Sequence, residues 1–321
     1  MQKTLVTLLL ILLSLPSFSQ IDKADVEAFA SEFVKKETQF SKDEVMAILN
    51  QAEYQSEIIE KITRPAEGTM TWERYRKIFI KQGRIDAGVA FYKTHKTALE
   101  KVSADTGVPA EIILGIIGVE TYFGKIKGSY KVLDALYTLG FGYPKRAKFF
   151  KSELGKFLIL SKLENLEATE ILGSYAGAMG YSQFMPSSYI AYAKSFEENG
   201  TRDLMESPED AIASVANYLK VHRWKKGQPI TSKAEMTRKI TGLRKQSTKP
   251  KNKVSDYTAI GFKPAENLNA DLPATMLIFD KDGNTEHWFG LYNFYVITRY
   301  NRSHLYAMAV YQLAEEIKKS I

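Results

Sequence analysis

The sequence predicts a mainly α protein with a small β element, an α+β fold. Three observations carry this. Apolar residues recur at three- and four-residue spacing through most of the chain. The run Ile112–Val119 contains nothing but aliphatic residues and glycine, as a helix at the centre of a core requires. A single segment, "ATMLIFDKDGNTEHWFGL" (274–291), reads instead as two strands joined through an Asp-Gly turn. With 321 residues, 45% of them hydrophobic and 25% charged, the chain is large enough to bury a substantial core.

The elements follow in order. "DVEAFASEFVKKETQF" (25–40) has helical spacing, and "SKDEVMAILNQAEY" (41–54) opens with Ser41 as N-cap and Glu44 three positions on, a capping box. "TWERYRKIFI" (71–80) and "GVAFYKTHKTALEKVSADTG" (88–107) continue as helix. "VPAEIILGIIGVETYFG" (108–124) places Pro109 in the first turn of the apolar helix. "SPEDAIASVANYLKVHRW" (207–224) starts on a Ser207 cap and carries an apolar stripe through Ile212, Val215, Ala216 and Leu219. Residues 225–256 are polar, basic and punctuated, and are expected to form a loop-rich excursion with short helix. The hairpin and the amphipathic helix "SHLYAMAVYQLAEEIKKS" (303–320) close the chain.

Residues 1–19, "MQKTLVTLLLILLSLPSFS", read as a secretory signal peptide: an early lysine, an apolar run, a proline break and a small-x-small end, with cleavage near Ser19–Gln20. The sequence contains no cysteine, which excludes a lipid anchor on a cysteine after that site and leaves the exported protein to stand without disulfides. The net charge is +7, but residues 225–253 hold ten Lys/Arg against one acid, so the remainder is about −2. Such a strip is a solvated loop or a surface for an anionic wall polymer, a membrane or nucleic acid. No nucleic-acid-binding motif accompanies it, so no nucleic acid partner is expected. The eighteen tyrosines suit either packing or a groove that handles sugars or peptides.

Several chemistries are excluded. The four histidines lack metalloprotease spacing, and there is neither a P-loop nor a dinucleotide fingerprint. "GSYAG" (173–177) sets Ser174 one position early for a nucleophile elbow. "SFEENGTRDLME" (195–206) offers Glu197, Asn199, Gly200, Thr201, Asp203 and Glu206 at EF-hand positions, but Ser195 stands at position 1, where Asp is usual. The stretch is read either as a calcium loop or as a capped turn. Glu120 is the singular residue. A carboxyl among apolar neighbours is expected to hold its proton near neutral pH, and such a group can protonate a glycosidic oxygen. Most glycosidases add a second carboxylate, and none is supplied nearby in sequence.

The stretches "VPAEIILGIIGVETYFGKIKGSYKVLDALYTLGFGYPKRAKFF", "GSYAGAMGYSQFMPSSYIAYA", "DAIASVANYLKVHRW" and "NFYVITRYNRSHLYAMAVYQL" resemble the membrane-bound lytic murein transglycosylase B family, over a region from about Trp72 to the C-terminus. The resemblance implies a lysozyme-like helical core (about 96–224) with an extra helical lobe, within a single catalytic region spanning 20–321. It implies cleavage of the β-1,4 bond between N-acetylmuramic acid and N-acetylglucosamine in peptidoglycan, with the muramyl C6 hydroxyl closing on C1 to leave a 1,6-anhydro end. Glu120 falls on the family's single acid/base, the substrate's N-acetyl group taking the place of a second carboxylate. Ser174 and Gln183 match groove residues. Tyr75, Tyr300, Asn301 and Tyr306 match polar groups around the carboxylate, and Arg146 matches a basic position suited to a peptide or lactyl carboxylate. No cofactor is required; calcium remains an option that Ser195 weakens. The expected setting is a periplasmic monomer acting on glycan strands, with cell-wall synthesis enzymes as candidate partners. The rival readings are a muramidase of the same fold that uses water and a non-catalytic wall-binding protein.

Overall fold

The computed structural model describes residues 21–64, 70–197, 200–240, 247–281 and 283–321. The expected signal peptide lies outside them. The chain opens with α1 (Lys23–Lys36), α2 (Lys42–Leu49) and α3 (Ser56–Thr63). Ser41 completes its capping box: its Oγ accepts from the Glu44 amide at 3.1 Å, and Glu44 Oε2 accepts from the Ser41 amide at 2.7 Å. After α4 (Trp72–Phe79), the single helix expected over 88–107 is two: α5 (Gln82–Thr94) and α6 (Lys96–Thr106). The break falls at His95, whose Nδ1 lies 2.6 Å from Glu209 Oε1 and whose ring packs on Phe91. Breaking there lets each amphipathic half reach a different part of the core.

Helix α7 (Ala110–Thr121) is the centre that the sequence calls for, buried from Ile112 to Val119. Pro109 stands at its cap, one residue outside the first turn, where its missing N–H and fixed φ still serve the helix start. Strand β1 (Tyr130–Lys131), α8 (Val132–Gly142) and α9 (Ala147–Leu163) follow, then β2 (Leu172–Gly173), which pairs antiparallel with β1. Helices α10 (Pro186–Tyr192) and α11 (Pro208–Val221) complete the central body, α11 capped by Ser207 Oγ on the Asp210 amide.

Residues 225–256 depart from the loop-rich expectation. They supply β3 (Thr231–Met236) and β4 (Asn252–Lys253), and these join β5 (Phe262–Pro264), β6 (Pro273–Lys281) and β7 (Asn284–Gly290) in a five-stranded antiparallel sheet of order β4-β6-β7-β3-β5. The predicted hairpin is its β6–β7 spine. Side chains of β6 alternate. Ala274 and Met276 enter a small separate core with Tyr257, Phe262 and Phe289, while Leu277 and Phe279 face the helices, Phe279 meeting Trp72 at 5.1 Å. Lys233 and Lys253 of the basic strip therefore ride on strands of a folded sheet that needs apolar residues on both faces. Between β4 and β5 lies α12 (Val254–Ala259). Helices α13 (Tyr292–Tyr300) and α14 (His304–Lys318) end the fold.

Helix α14 lies along α7. A Cβ on Gly115 would stand 2.6 Å from the Val310 carbonyl oxygen, so glycine there sets how closely the two helices approach. No single described helix is long and apolar enough to cross a membrane.

Candidate active site

The buried helix α7 delivers Glu120 to its C-terminal end, where burial gives way to half-exposure. The chain then turns sharply: Tyr122, Phe123 and Gly124 all have positive φ, at 53°, 58° and 85°. Two consecutive non-glycine residues in that region cost roughly 1–3 kcal/mol each. The structure holds them with specific contacts. The Phe123 ring fills the space that a side chain on Gly118 would need, a Cβ there lying 2.7 Å from the ring, and it packs on Phe91. Thr121, fully buried, donates from Oγ1 to the Tyr181 carbonyl at 3.1 Å and accepts from the Gly124 amide at 3.0 Å.

Two tyrosines close the site, Tyr300 half-buried at the end of α13 and Tyr306 buried on α14. The Tyr306 hydroxyl donates to Glu120 Oε1 at 2.6 Å. The Tyr300 hydroxyl donates to the Ser182 carbonyl at 2.6 Å, and the two rings stack at 6.4 Å with planes 10° apart. Burial first, then the Glu120 charge, raises both phenols well above the usual tyrosine range, so both keep their protons at any working pH. For Tyr306 the neighbouring hydroxyls of Tyr300 and Tyr75 add to the effect. Among the described residues, Glu120 is the one carboxylate whose charge acts on this pair. Tyr306 can only donate to a carboxylate, so it favours the charged form, against the pull of the apolar helix behind it.

The floor of the site is the loop after β2. It folds back on itself through bridges Gly173↔Met179 and Met179↔Phe184. Its carbonyls are fixed in succession by Gln183 Nε2 on Gly180, Thr121 on Tyr181 and Tyr300 on Ser182. Gln183, itself at φ 47°, also donates to the Lys127 carbonyl at 3.0 Å and so ties this loop to the turn after α7.

The structure thus brings Glu120, Tyr75, Tyr300 and Tyr306 together. Gln183 and Ser174 lie on the adjoining loop, where the Ser174 Oγ accepts from the amides of Ala176 and Ala178. Asn301 ends α13 immediately after Tyr300, half-buried. Arg146 stands exposed on the α8–α9 connection with its guanidinium over Phe149 and Phe150, and has no hydrogen bond or ion pair to the Glu120 group. Thr121, the strained Tyr122–Phe123 turn and the Ser182 carbonyl were not singled out by the sequence. Only Gly118 and Gly124, bracketing the turn, hinted at close packing there.

The calcium option does not fit the described residues. Asp203 Oδ1 accepts from the amides of Met205 and Glu206, Glu206 is turned to Lys127 at 3.0 Å, and the Ser195 hydroxyl donates to the Glu197 carbonyl. Among the described residues, which omit Asn199, no three acidic or histidine side chains converge as a metal site. Thr201 is exposed. Asp203 closes a turn there instead, as its amide donates to Asp210 Oδ2.

Comparison with known proteins decides the family. Residues 22–315 match the model described as "Transglycosylase SLT domain". The chain belongs to the transglycosylase SLT family. Within it, the chain is 40% identical over 302 residues to the membrane-bound lytic murein transglycosylase B of Escherichia coli (strain K12), covering 91% of this chain and 82% of that protein. Among solved structures it superposes on the catenated lytic transglycosylase SltB1 from Pseudomonas aeruginosa with a TM-score of 0.86 at 43% identity, covering 93% and 98% of the two chains. It also superposes on the E. coli lytic transglycosylase SLT35 in complex with bulgecin A, with a TM-score of 0.86 at 40% identity, covering 95% of each chain. SLT35 has been solved with calcium as well. The mainly α architecture with a small sheet is thus the lysozyme-like fold of the lytic transglycosylases.

Proposed function

We propose that the protein is an exported lytic murein transglycosylase that cleaves the β-1,4 bond between N-acetylmuramic acid and N-acetylglucosamine with Glu120 as its only acid/base. The observation that carries this reading is the pairing of Glu120 with the Tyr306 hydroxyl at the end of α7, the charge of Glu120 acting on both Tyr306 and Tyr300. A site with one carboxyl suits substrate-assisted cleavage better than a two-carboxylate mechanism. Glu120 gives its proton to the glycosidic oxygen as the C1–O bond breaks, and the substrate's N-acetyl oxygen supports the anomeric carbon. The carboxylate so formed is stabilised by the Tyr306 hydroxyl. It then takes the proton of the muramyl C6 hydroxyl as that oxygen bonds to C1, which returns Glu120 to its starting state and leaves a 1,6-anhydro end.

Tyr75, Ser174, Gln183, Asn301 and Arg146 are assigned to the saccharide groove around this centre, Arg146 toward its peptide side. The loop carbonyls fixed by Thr121, Tyr300 and Gln183 give that groove a rigid floor. The apolar N-terminal run and the absence of cysteine support export to the periplasm without a lipid on cysteine. There the protein would act as a monomer, within reach of cell-wall synthesis enzymes. Mass spectrometry of digested murein tests the chemistry: anhydromuramyl ends are expected, and reducing muramyl ends would show a hydrolase that uses water.

A further inference from the structure

The segment 195–206, which offers EF-hand positions in sequence, is gathered by two side chains from outside it. Asp210, buried on the first turn of α11, accepts from the Phe196 amide on Oδ1 at 2.7 Å and from the Asp203 amide on Oδ2 at 2.8 Å. Lys127, in the turn after α7, takes the far end. Its ammonium donates to the Met205 carbonyl and, at 3.0 Å, to Glu206 Oε1, and it lies 4.9 Å from the centre of the Tyr181 ring. Glu206 occupies the last position of the motif, where a carboxylate closes on a metal ion in an EF-hand. Here that carboxylate and the carbonyl before it close on a lysine.

The same lysine is fixed to the floor of the Glu120 site through its backbone. Its carbonyl accepts from Gln183 Nε2 at 3.0 Å, and that amide group also holds the Gly180 carbonyl. The Tyr181 amide donates to the Leu204 carbonyl at 2.9 Å, so floor and segment are joined next to the Met205 contact. A Cβ on Gly180 would stand 2.1 Å from the Leu204 oxygen, so no slack separates the two. Exposed ion pairs contribute little, and the Glu206 side chain is 77% exposed. The Lys127 side chain is only 27% exposed, and its carbonyl and ring contacts lie on two different segments.

We infer that Lys127 is a positioning residue whose ammonium stands in for a metal ion, clamping the end of the 195–206 segment onto the floor of the Glu120 site and so fixing Gln183. This rests on the functional reading above, since the floor serves the chemistry assigned to Glu120. The cation that orders this segment is then part of the chain, and the ordered floor needs the lysine charge rather than a divalent ion.

Hydrogen exchange read by mass spectrometry tests the clamp whether or not the protein cleaves murein. Lys127→Met keeps an apolar stem and removes the charge, and Lys127→Arg keeps the charge. Peptides covering 179–184 and 203–207 should exchange about tenfold faster in Lys127→Met, as loss of a charge-assisted hydrogen bond implies, and Lys127→Arg should restore most of the protection. Calcium or a chelator should leave the exchange and melting temperature of the wild type unchanged. On purified murein, Lys127→Met should lower kcat about tenfold with KM within about twofold, because a shifted floor misplaces the bound sugar without releasing it. Lys127→Arg should recover most of that rate. Unchanged exchange or unchanged kcat in a folded Lys127→Met, no recovery in Lys127→Arg, or a wild type that calcium stabilises would each overturn the proposal. If Lys127→Met does not fold, Glu206→Gln decides: it removes one acceptor of the ammonium and should speed exchange over 203–207 about twofold, and no acceleration overturns the proposal too. Failure of the functional reading shows elsewhere, as absence of murein cleavage by the wild type.

Discussion

Replacing Tyr306 by Phe removes one oxygen atom from the centre of the site and leaves the ring's packing in place. The lost group donates to Glu120 Oε1 at 2.6 Å, and a hydrogen bond to a charged acceptor contributes roughly 1.5–3 kcal/mol. The proposed mechanism needs that donor most after Glu120 has given up its proton, because a phenol stabilises a carboxylate and has little to offer a neutral acid. Between half and all of the bond energy should therefore appear in the barrier, about 0.8–3 kcal/mol, or about 4- to 160-fold in kcat. Substrate affinity should change little, since Tyr306 is 2% exposed and covered by its neighbours. The assay is release of soluble muropeptides from purified murein across a range of pH, with thermal melting to confirm folding. Loss of the donor disfavours the ionised carboxyl, so the alkaline limb of the profile should move to higher pH. A folded variant with kcat within twofold of wild type and an unmoved limb would refute the idea that Tyr306 holds the reacting carboxyl.

Two further outcomes follow from the packing and the buried phenols. Gly115→Ala sets a methyl 2.6 Å from the Val310 carbonyl, and overpacking of about 1–3 kcal/mol outweighs the gain of about 1 kcal/mol in helix propensity. Its melting temperature should fall by several degrees, and an unchanged or higher value would show that α7 and α14 part easily. Burial pushes Tyr218 and Tyr311 up to about 12 and also raises Tyr300 and Tyr306 well above the usual range, whereas unfolded tyrosines ionise near 10. The folded state keeps protons that the unfolded chain releases. Their contribution is thus complete below about pH 10 and lost above it, at up to about 1.4 kcal/mol per pH unit for each tyrosine. Melting temperature should drop steeply from pH 10 to 12, and a flat profile would contradict the assigned burial.

Much of this was legible because it is local. The unbroken apolar run of α7, the Ser41–Glu44 box and the paired strands β6 and β7 each state their structure within a short stretch, and Glu120 is conspicuous at the end of such a run. What stayed hidden depends on partners far along the chain. "TSKAEM" (231–236) looks like part of a basic loop because it is mostly polar and its Met236 faces solvent beside Glu235, and only its pairing with β5 and β7 makes it a strand. The break at His95 answers to Glu209, 114 residues away. The turn at Tyr122 and Phe123 contradicts local propensity outright, and tertiary contacts from Gly118, Phe91 and Thr121 override it. The resemblance supplied the roles of Tyr300 and Tyr306, which no spacing in the sequence encodes, since Tyr306 lies 186 residues from the carboxyl it touches.

The most direct measurement of the central claim is the activity of Glu120→Gln on purified murein. The amide keeps the shape and can still accept from Tyr306, but it has no proton to pass to a glycosidic oxygen. The account predicts a folded protein that binds glycan strands and releases no anhydromuropeptides. Cleavage at a rate near that of the wild type would contradict it.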